Sequence, residues 1–396
     1  VDGAVNFAAD VTFADGADII TASAGTSNFR AGVNAGNSIA SGGNYNVVVG
    51  DEAGTAITTG DNNVLMGYAA GDAITTGVAN VSIGTNSLGA STEGGSNVAV
   101  GFHALIADTK GSKNVAIGQG TLATQNFTTA TDAYNTAVGA EAGISVTTGI
   151  QNTLIGGIAG DAITDADGNV AVGYAALTTN ALGSDSVAIG KNALNAQNPS
   201  TATAMNNVAV GKNAGEAITT GVLNTIVGGL AGDALTDADY NTAFGKSALS
   251  ADTLGSRSTA IGTFALEAQN FTTATDTYNT AVGYNAGAYV STGVQNTIVG
   301  GLAGDALTTG VDNVAVGYLS ASALTDADYN VAVGKGALSD DTKGSKSTGV
   351  GYQALSTQNF TTATDTFNTA VGYNAGSLIT TGVRNTLIGG LAGDSL

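Results

Sequence analysis

Hydrophobic residues along this chain come in bursts of three, opened by Asn and closed by Gly. Val47-Val48-Val49, Val115-Ala116-Ile117 and Val331-Ala332-Val333 are examples, separated by stretches of Thr, Asn, Asp, Ala and Gly. Bursts this short, bounded by turn formers, predict strands. The closing glycine of Asn-x-x-(Val/Ile)-Gly, or a near variant, recurs at 20 positions from Gly50 to Gly389. Fifteen of the 19 intervals are 17 residues; the four that end at Gly139, Gly211, Gly283 and Gly372 are 21. A degenerate copy, Asn28-Phe29-Arg30-Ala31-Gly32, precedes them. Helical repeats need about 33 residues, and the Gly and Thr content opposes helix. The pattern therefore predicts an all-β parallel β-solenoid (β-roll) of about 21 coils over residues 28–396. Residues 1–27, where Val11, Phe13, Ile19 and Ile20 sit among Asp, Ala and Gly, read as an N-terminal connector or cap. At ~4.8 Å per coil, 20 coils make a rod on the order of 95 Å long.

Successive strand residues face opposite sides. The residue just before each motif glycine is apolar in all 20 copies: 12 Val, six Ile, Met66 and Phe244. That uniformity predicts that it points into the coil. The residue two before the glycine is Ala in 12 copies and Val, Leu or Ile in six, with Ser82 and Gly349 as exceptions. It is expected on the other face, where small apolar side chains imply a close approach to something else. Apolar residues on both sides mean two buried faces, so the expectation is a homotrimer with the Ala-rich face at its seam. Where this position is large (Leu154, Ile226, Ile298, Leu387), a second Gly follows the motif glycine (Gly157, Gly229, Gly301, Gly390). That reads as a volume trade within the seam, which Leu65 followed by Tyr68 breaks.

The motif Asn, present in 17 copies and replaced by Ser186, Ser258 and Ser347, is expected to form a hydrogen-bonded ladder. Two coil types alternate in blocks. One carries Ala-Gly and an Ile or Leu seven after the glycine (Ile57, Ile74, Ile218); the other carries Ala-Leu and fills the core three residues earlier (Leu105, Leu177, Leu249).

Composition narrows the function. The chain has 59 Gly, one Pro, no Cys, no Trp, one His and a formal charge of −20. An acidic surface repels phosphate backbones, which argues against nucleic acid as a partner. No apolar run reaches the ~18 residues of a membrane helix, so membrane insertion is not expected. Zero cysteines exclude disulfides and thiolate chemistry. The chain begins with Val and ends at Leu396 within a coil, so the natural protein is expected to extend beyond both ends.

Little here points to catalysis, and no enzymatic activity is expected. His103 has no nucleophile beside it in a triad pattern and reads as a surface residue. The pairs Asp165/Asp167, Asp237/Asp239 and Asp326/Asp328 could offer oxygen ligands to calcium, but they lack EF-hand spacing and read first as solvated turns. No cofactor is otherwise implied. Thr58-Thr59, Thr75-Thr76 and their counterparts form a threonine file of the sort an ice-binding solenoid uses, interrupted by Lys110.

The 21-residue coils are the main irregularity. Each inserts four residues, as in Gln125-Asn126-Phe127-Thr128-Thr129-Ala130-Thr131-Asp132. Phe127, Phe271 and Phe360 are in phase with Tyr134, Tyr278 and Phe367, whereas the second copy has Pro199 and Asn206 instead. Joint loss suggests that the two rings touch. The loops read either as self-packed braces or as exposed knobs that contact a receptor, with glycans the natural target for exposed rings.

Asn-Thr-Ala-Val-Gly-Tyr-Asn-Ala-Gly (279–287 and 368–376), together with Thr-Thr-Gly and Asn-Thr-Leu-Ile-Gly-Gly, resembles the head repeats of trimeric autotransporter adhesins and the fibre repeats of phage tail proteins. The resemblance spans residues 28–396. It implies a trimeric left-handed parallel β-roll at an extracellular or virion surface. The expected function is a structural fibre shaft or adhesin, foremost a phage tail fibre attaching to a host-surface glycan or protein. A bacterial surface adhesin or self-assembling filament is the alternative, and a monomeric ice- or calcium-binding solenoid a more distant one.

Overall fold

The computed structural model describes residues 23–395, and most of the expected connector, including Val11, Phe13, Ile19 and Ile20, lies outside them. Among the described residues there is no helix. Twenty-one strands of three residues, from Phe29–Ala31 to Thr386–Ile388, form one parallel sheet in which each pairs with the next coil. The register is constant: Val98 lies opposite Val115, and Ala99 opposite Ala116. Identical motif positions therefore stack in columns, and the expected parallel β-solenoid of about 21 coils is what the chain forms.

The motif glycine is dictated by that stacking. Its φ lies between +125° and +142° from Gly50 to Gly389, a region that L side chains rarely adopt. From Gly50 to Gly372 an added Cβ would come within 2.2–2.8 Å of the next coil's glycine backbone. The motif Asn completes the contact. Asn63 Nδ2 donates to Asn46 Oδ1 at 3.1 Å and to Gly77 O at 3.0 Å, and the Asn63 backbone N–H reaches the same Oδ1 at 2.9 Å. The bonds recur along the column, so the expected ladder is present and it also ties the strand to the second corner. Where Ser258 and Ser347 shorten the column, Thr277 and Thr366 fill the gap and hydrogen-bond to them; the first inserted coil has Asn114 and Ala133 there instead.

The two faces of the strand are the reverse of the expectation. The residue two before the glycine is the buried one: Val48, Ala99, Ala137, Leu154 and Ala281 are fully buried in the coil interior. The residue just before it faces outward, and Met66, Ile155, Phe244 and Ile388 are exposed. The physical reason is width. The coil is narrow, and its interior is filled mainly from the opposite wall, which leaves room for little more than a Cβ beneath most strands. The Ala-rich column is thus the protein's own core and not a seam between chains.

The opposite wall explains the two coil types. Four residues after the motif glycine, every coil turns with φ near +50 to +60°. Leu105, Leu177 and Leu249 occupy this position and point into the core, fully buried. In the other type the position is Gly54, Gly71 or Gly160, and Ile57, Ile74 or Ile163 enters from three residues later. The volume trade belongs here. Leu154 approaches within 2.6 Å of where a Cβ on Gly143 would stand and within 2.8 Å for Gly160, whereas Gly157 has only Tyr174 nearby at 3.7 Å. A large inward strand residue appears where its own coil and the preceding one both carry glycine at this turn. Leu65, lying over Gly54 and Gly71, obeys the rule that it broke when the trade was placed in a seam.

Candidate functional site: aromatic columns and inserted coils

Each inserted coil adds a two-residue parallel strand pair, such as Gly111–Ser112 with Thr131–Asp132 and Gly255–Ser256 with Thr275–Asp276. Thr128, Thr129 and Ala130 are exposed at the tip. The six ring positions singled out in the sequence divide into two groups. Phe127, Phe271 and Phe360 are each only 7% exposed, while Tyr134, Tyr278 and Phe367 are about half exposed. The two rings of a copy make no ring contact: the aromatic pairs among the described residues are Phe102–His103, Phe264–Tyr284 and Tyr352–Tyr373.

Their joint loss has two separate causes. The backbone N–H of Phe127, Phe271 or Phe360 donates to the buried carboxylate of Asp108, Asp252 or Asp341 (3.2, 3.1 and 3.0 Å). Each carboxylate also takes the N–H of the glycine three residues on and the Nε2 of Gln125, Gln269 or Gln358. Burial pushes the Asp108 carboxyl above its usual range, and these donors pull against that. In the second copy Pro199 has no N–H to give, and the acid is replaced by Asn180, which both donates to and accepts from Gly183. The outer ring has a different partner. Tyr134 holds Lys113, whose Nζ lies 4.9 Å from the ring centre, 2.9 Å from the hydroxyl and 2.6 Å from Asp132. The Asp132 hydrogen bond raises the Lys113 pKa. Arg257 lies between Tyr240 and Tyr278, 4.8 and 5.9 Å from their centres, and pairs with Asp276 at 2.9 Å. The second copy has Asp185, Asn206 and Ala204 at the cation, ring and acid positions, so the whole group is gone.

Two aromatic columns emerge, of which the sequence singled out only Tyr134, Tyr278 and Phe367. Five residues before the motif glycine stand Tyr45, Tyr134, Tyr240, Tyr278, Tyr329 and Phe367, all exposed; one residue after it stand Tyr68, Phe102, Tyr174, Tyr284, Tyr318, Tyr352 and Tyr373. Lys335 sits 5.8 Å from Tyr318 and 5.9 Å from Tyr352, binding the second column together. Their fixed offset from the glycine was the available signal. The columns flank the outward Val and Ile of the main sheet.

The remaining candidates are engaged in coil stacking. Asp167, Asp239 and Asp328 accept the N–H of Ile150, Val222 and Val311 one coil earlier, each at 2.8 Å. Among the described residues no group of three or more His, Cys, Asp or Glu is placed to hold a metal ion. Before the last coil the first Thr of each pair donates to the next coil's carbonyl, as Thr58 to Thr75 (3.1 Å) and Thr75 to Thr92 (3.0 Å), while the second is exposed. His103 stacks on Phe102 at 3.7 Å. No described helix is long and apolar enough to cross a membrane. No family model, curated protein or solved structure matches the chain.

Proposed function

We propose that this chain is the shaft of an extracellular fibre of the phage tail fibre kind, assembled from three copies at a virion or cell surface and presenting its aromatic columns to a host glycan or protein. The observation that carries the reading is the commitment of the fold to length. Motif Asn, turn Asp and corner Thr side chains are spent on coil-to-coil bonds, so each added repeat extends one uninterrupted rod. Large exposed rings on a shaft otherwise rich in Ala, Thr, Asn and Gly are the groups suited to stacking on sugars. Electron microscopy and native mass measurement of the purified chain test this. Unbranched rods on the order of 95 Å with the mass of three chains are expected, together with retention on immobilised bacterial lipopolysaccharide; compact single chains would sink the reading.

A further inference from the structure

Each strand from Val47–Val49 to Thr386–Ile388 turns two side chains outward, one three residues and one a single residue before the motif glycine. Every one of these is Val, Ile or Thr, apart from Met66 and Phe244. A chain with 11% charged residues places none of them here. The face is nevertheless open: Phe244 is 55% exposed, and Ile189 and Ile261 in mid-rod are 39% and 38% exposed.

We infer that this Val/Ile face is where further copies of the same chain dock, sheet against sheet, side by side along the rod. The inference rests on the fibre reading and assigns its seam. Area is the first argument. A stripe ~95 Å long and about 10 Å wide offers roughly 1,000 Å² per copy, of the order of the ~800 Å² that a partner gives to a standard-sized interface, and around a three-fold it is shared between two neighbours. Charge is the second. Copies carrying −20 each repel one another wherever acids face each other, and this uncharged stripe is where two can approach without burying a charge. The third is period. Ridges repeating once per coil interlock over the full length only with a surface of the same repeat, which a second copy has in every coil. The flanking Tyr columns, with Arg257 against Tyr240, supply at the rim residue types that protein interfaces favour. Phe244, the one aromatic among these outward residues, gives an otherwise repetitive stripe a mark that fixes its register.

The test uses the full chain. The double variant Ile189→Asp/Ile261→Asp places charges on the face, and Thr76→Asp/Thr309→Asp places them at an exposed corner. Native mass should fall to the 38.4 kDa of one chain in the first and stay multimeric in the second, with β-type circular dichroism kept in both. If the first variant does not fold, Ile261→Cys and Thr309→Cys replace it, since the chain has no cysteine of its own. Mild oxidation should link copies through position 261 and not 309. An assembly that ignores the Ile variants, or a crosslink only at 309, overturns the seam while leaving the fibre reading intact. A wild type that is a single chain overturns both.

Discussion

The backbone N–H of Phe271 donates to the buried Asp252 carboxylate at 3.1 Å, and where the chain has Pro199 in place of the Phe it has Asn180 in place of the acid. Proline removes a donor, and a buried charge that loses a donor is costly; an amide satisfied by Gly183 is not. The repeat thus holds two internally consistent solutions to one corner.

The pairing predicts a non-additive mutant cycle. Phe271→Pro alone should destabilise by about 2–3 kcal/mol through the stranded carboxylate, beyond the loss of the ring. Adding Asp252→Asn should recover about 1 kcal/mol or more of that, a coupling read from denaturant unfolding of the four members of the cycle. Strict additivity would show that the carboxylate does not depend on this donor.

The coil types should be interconvertible. Gly143→Leu alone overfills the core, because its Cβ would stand 2.6 Å from Leu154, 3.0 Å from Leu122 and 3.2 Å from Val146. A cost of about 3 kcal/mol is expected. Leu154→Ala alone leaves a cavity and should cost about 2–5 kcal/mol. Combining both with Val146→Asn rewrites the coil as the type that contains Leu177 and Asn180. The triple variant should be more stable than either single change, as thermal melting would show.

The fold was legible in the sequence because its strongest signal, a glycine every 17 or 21 residues, is itself a steric requirement of stacking. The Asn ladder and the two core types, Leu105 against Ile57, could also be read, since each needs only one residue at one offset. Which strand face is inside could not. Both flanking positions are apolar, and the usual preference for larger residues inside fails when Leu105 and its equivalents already fill the interior from across the coil. A charge placed at Ala137 or Ala281 would therefore be a lesion of the core. The ring pair Phe127 and Tyr134 was visible as a covarying unit, but covariation does not say who the partner is. Here each ring answers to a different one, Asp108 and Lys113.

Acidification should first stabilise the rod. Burial raises the carboxyls of Asp72, Asp161, Asp233 and Asp305 above the ordinary 3.8. Between that value and the raised one the folded chain binds more protons than the unfolded chain, so stability falls as pH rises through this window and is regained as pH is lowered. The buried Oδ1 atoms of Asp161, Asp233 and Asp305 have no hydrogen-bond donor, and the backbone hydrogen bonds to these carboxylates, with Thr178 at Asp161, offset only part of the burial. The melting temperature should therefore rise as pH is lowered from 7 toward 4. The Asp161→Asn/Asp233→Asn/Asp305→Asn variant should melt higher at pH 7 and show a smaller pH response. A melting temperature that falls steadily over that range would contradict the assignment.

The inserted loops can be separated into brace and contact surface by the burial of their two rings. Phe271 is only 7% exposed, so Phe271→Ala should lower stability by about 3–5 kcal/mol, as removal of a largely buried ring does. Tyr278 projects from the surface with Arg257 beside it, and exposed cation–π contacts are worth about 0.5–1 kcal/mol. Tyr278→Ala should therefore leave melting nearly unchanged, as should Tyr134→Ala and Phe367→Ala. Retention on lipopolysaccharide then isolates the surface role. If the outer rings contact a glycan, combining these three outer-ring changes should reduce retention at least tenfold while melting stays close to wild type. Retention that follows the Phe variants instead, in proportion to their lost stability, would mean that the loops serve only to hold the coils together.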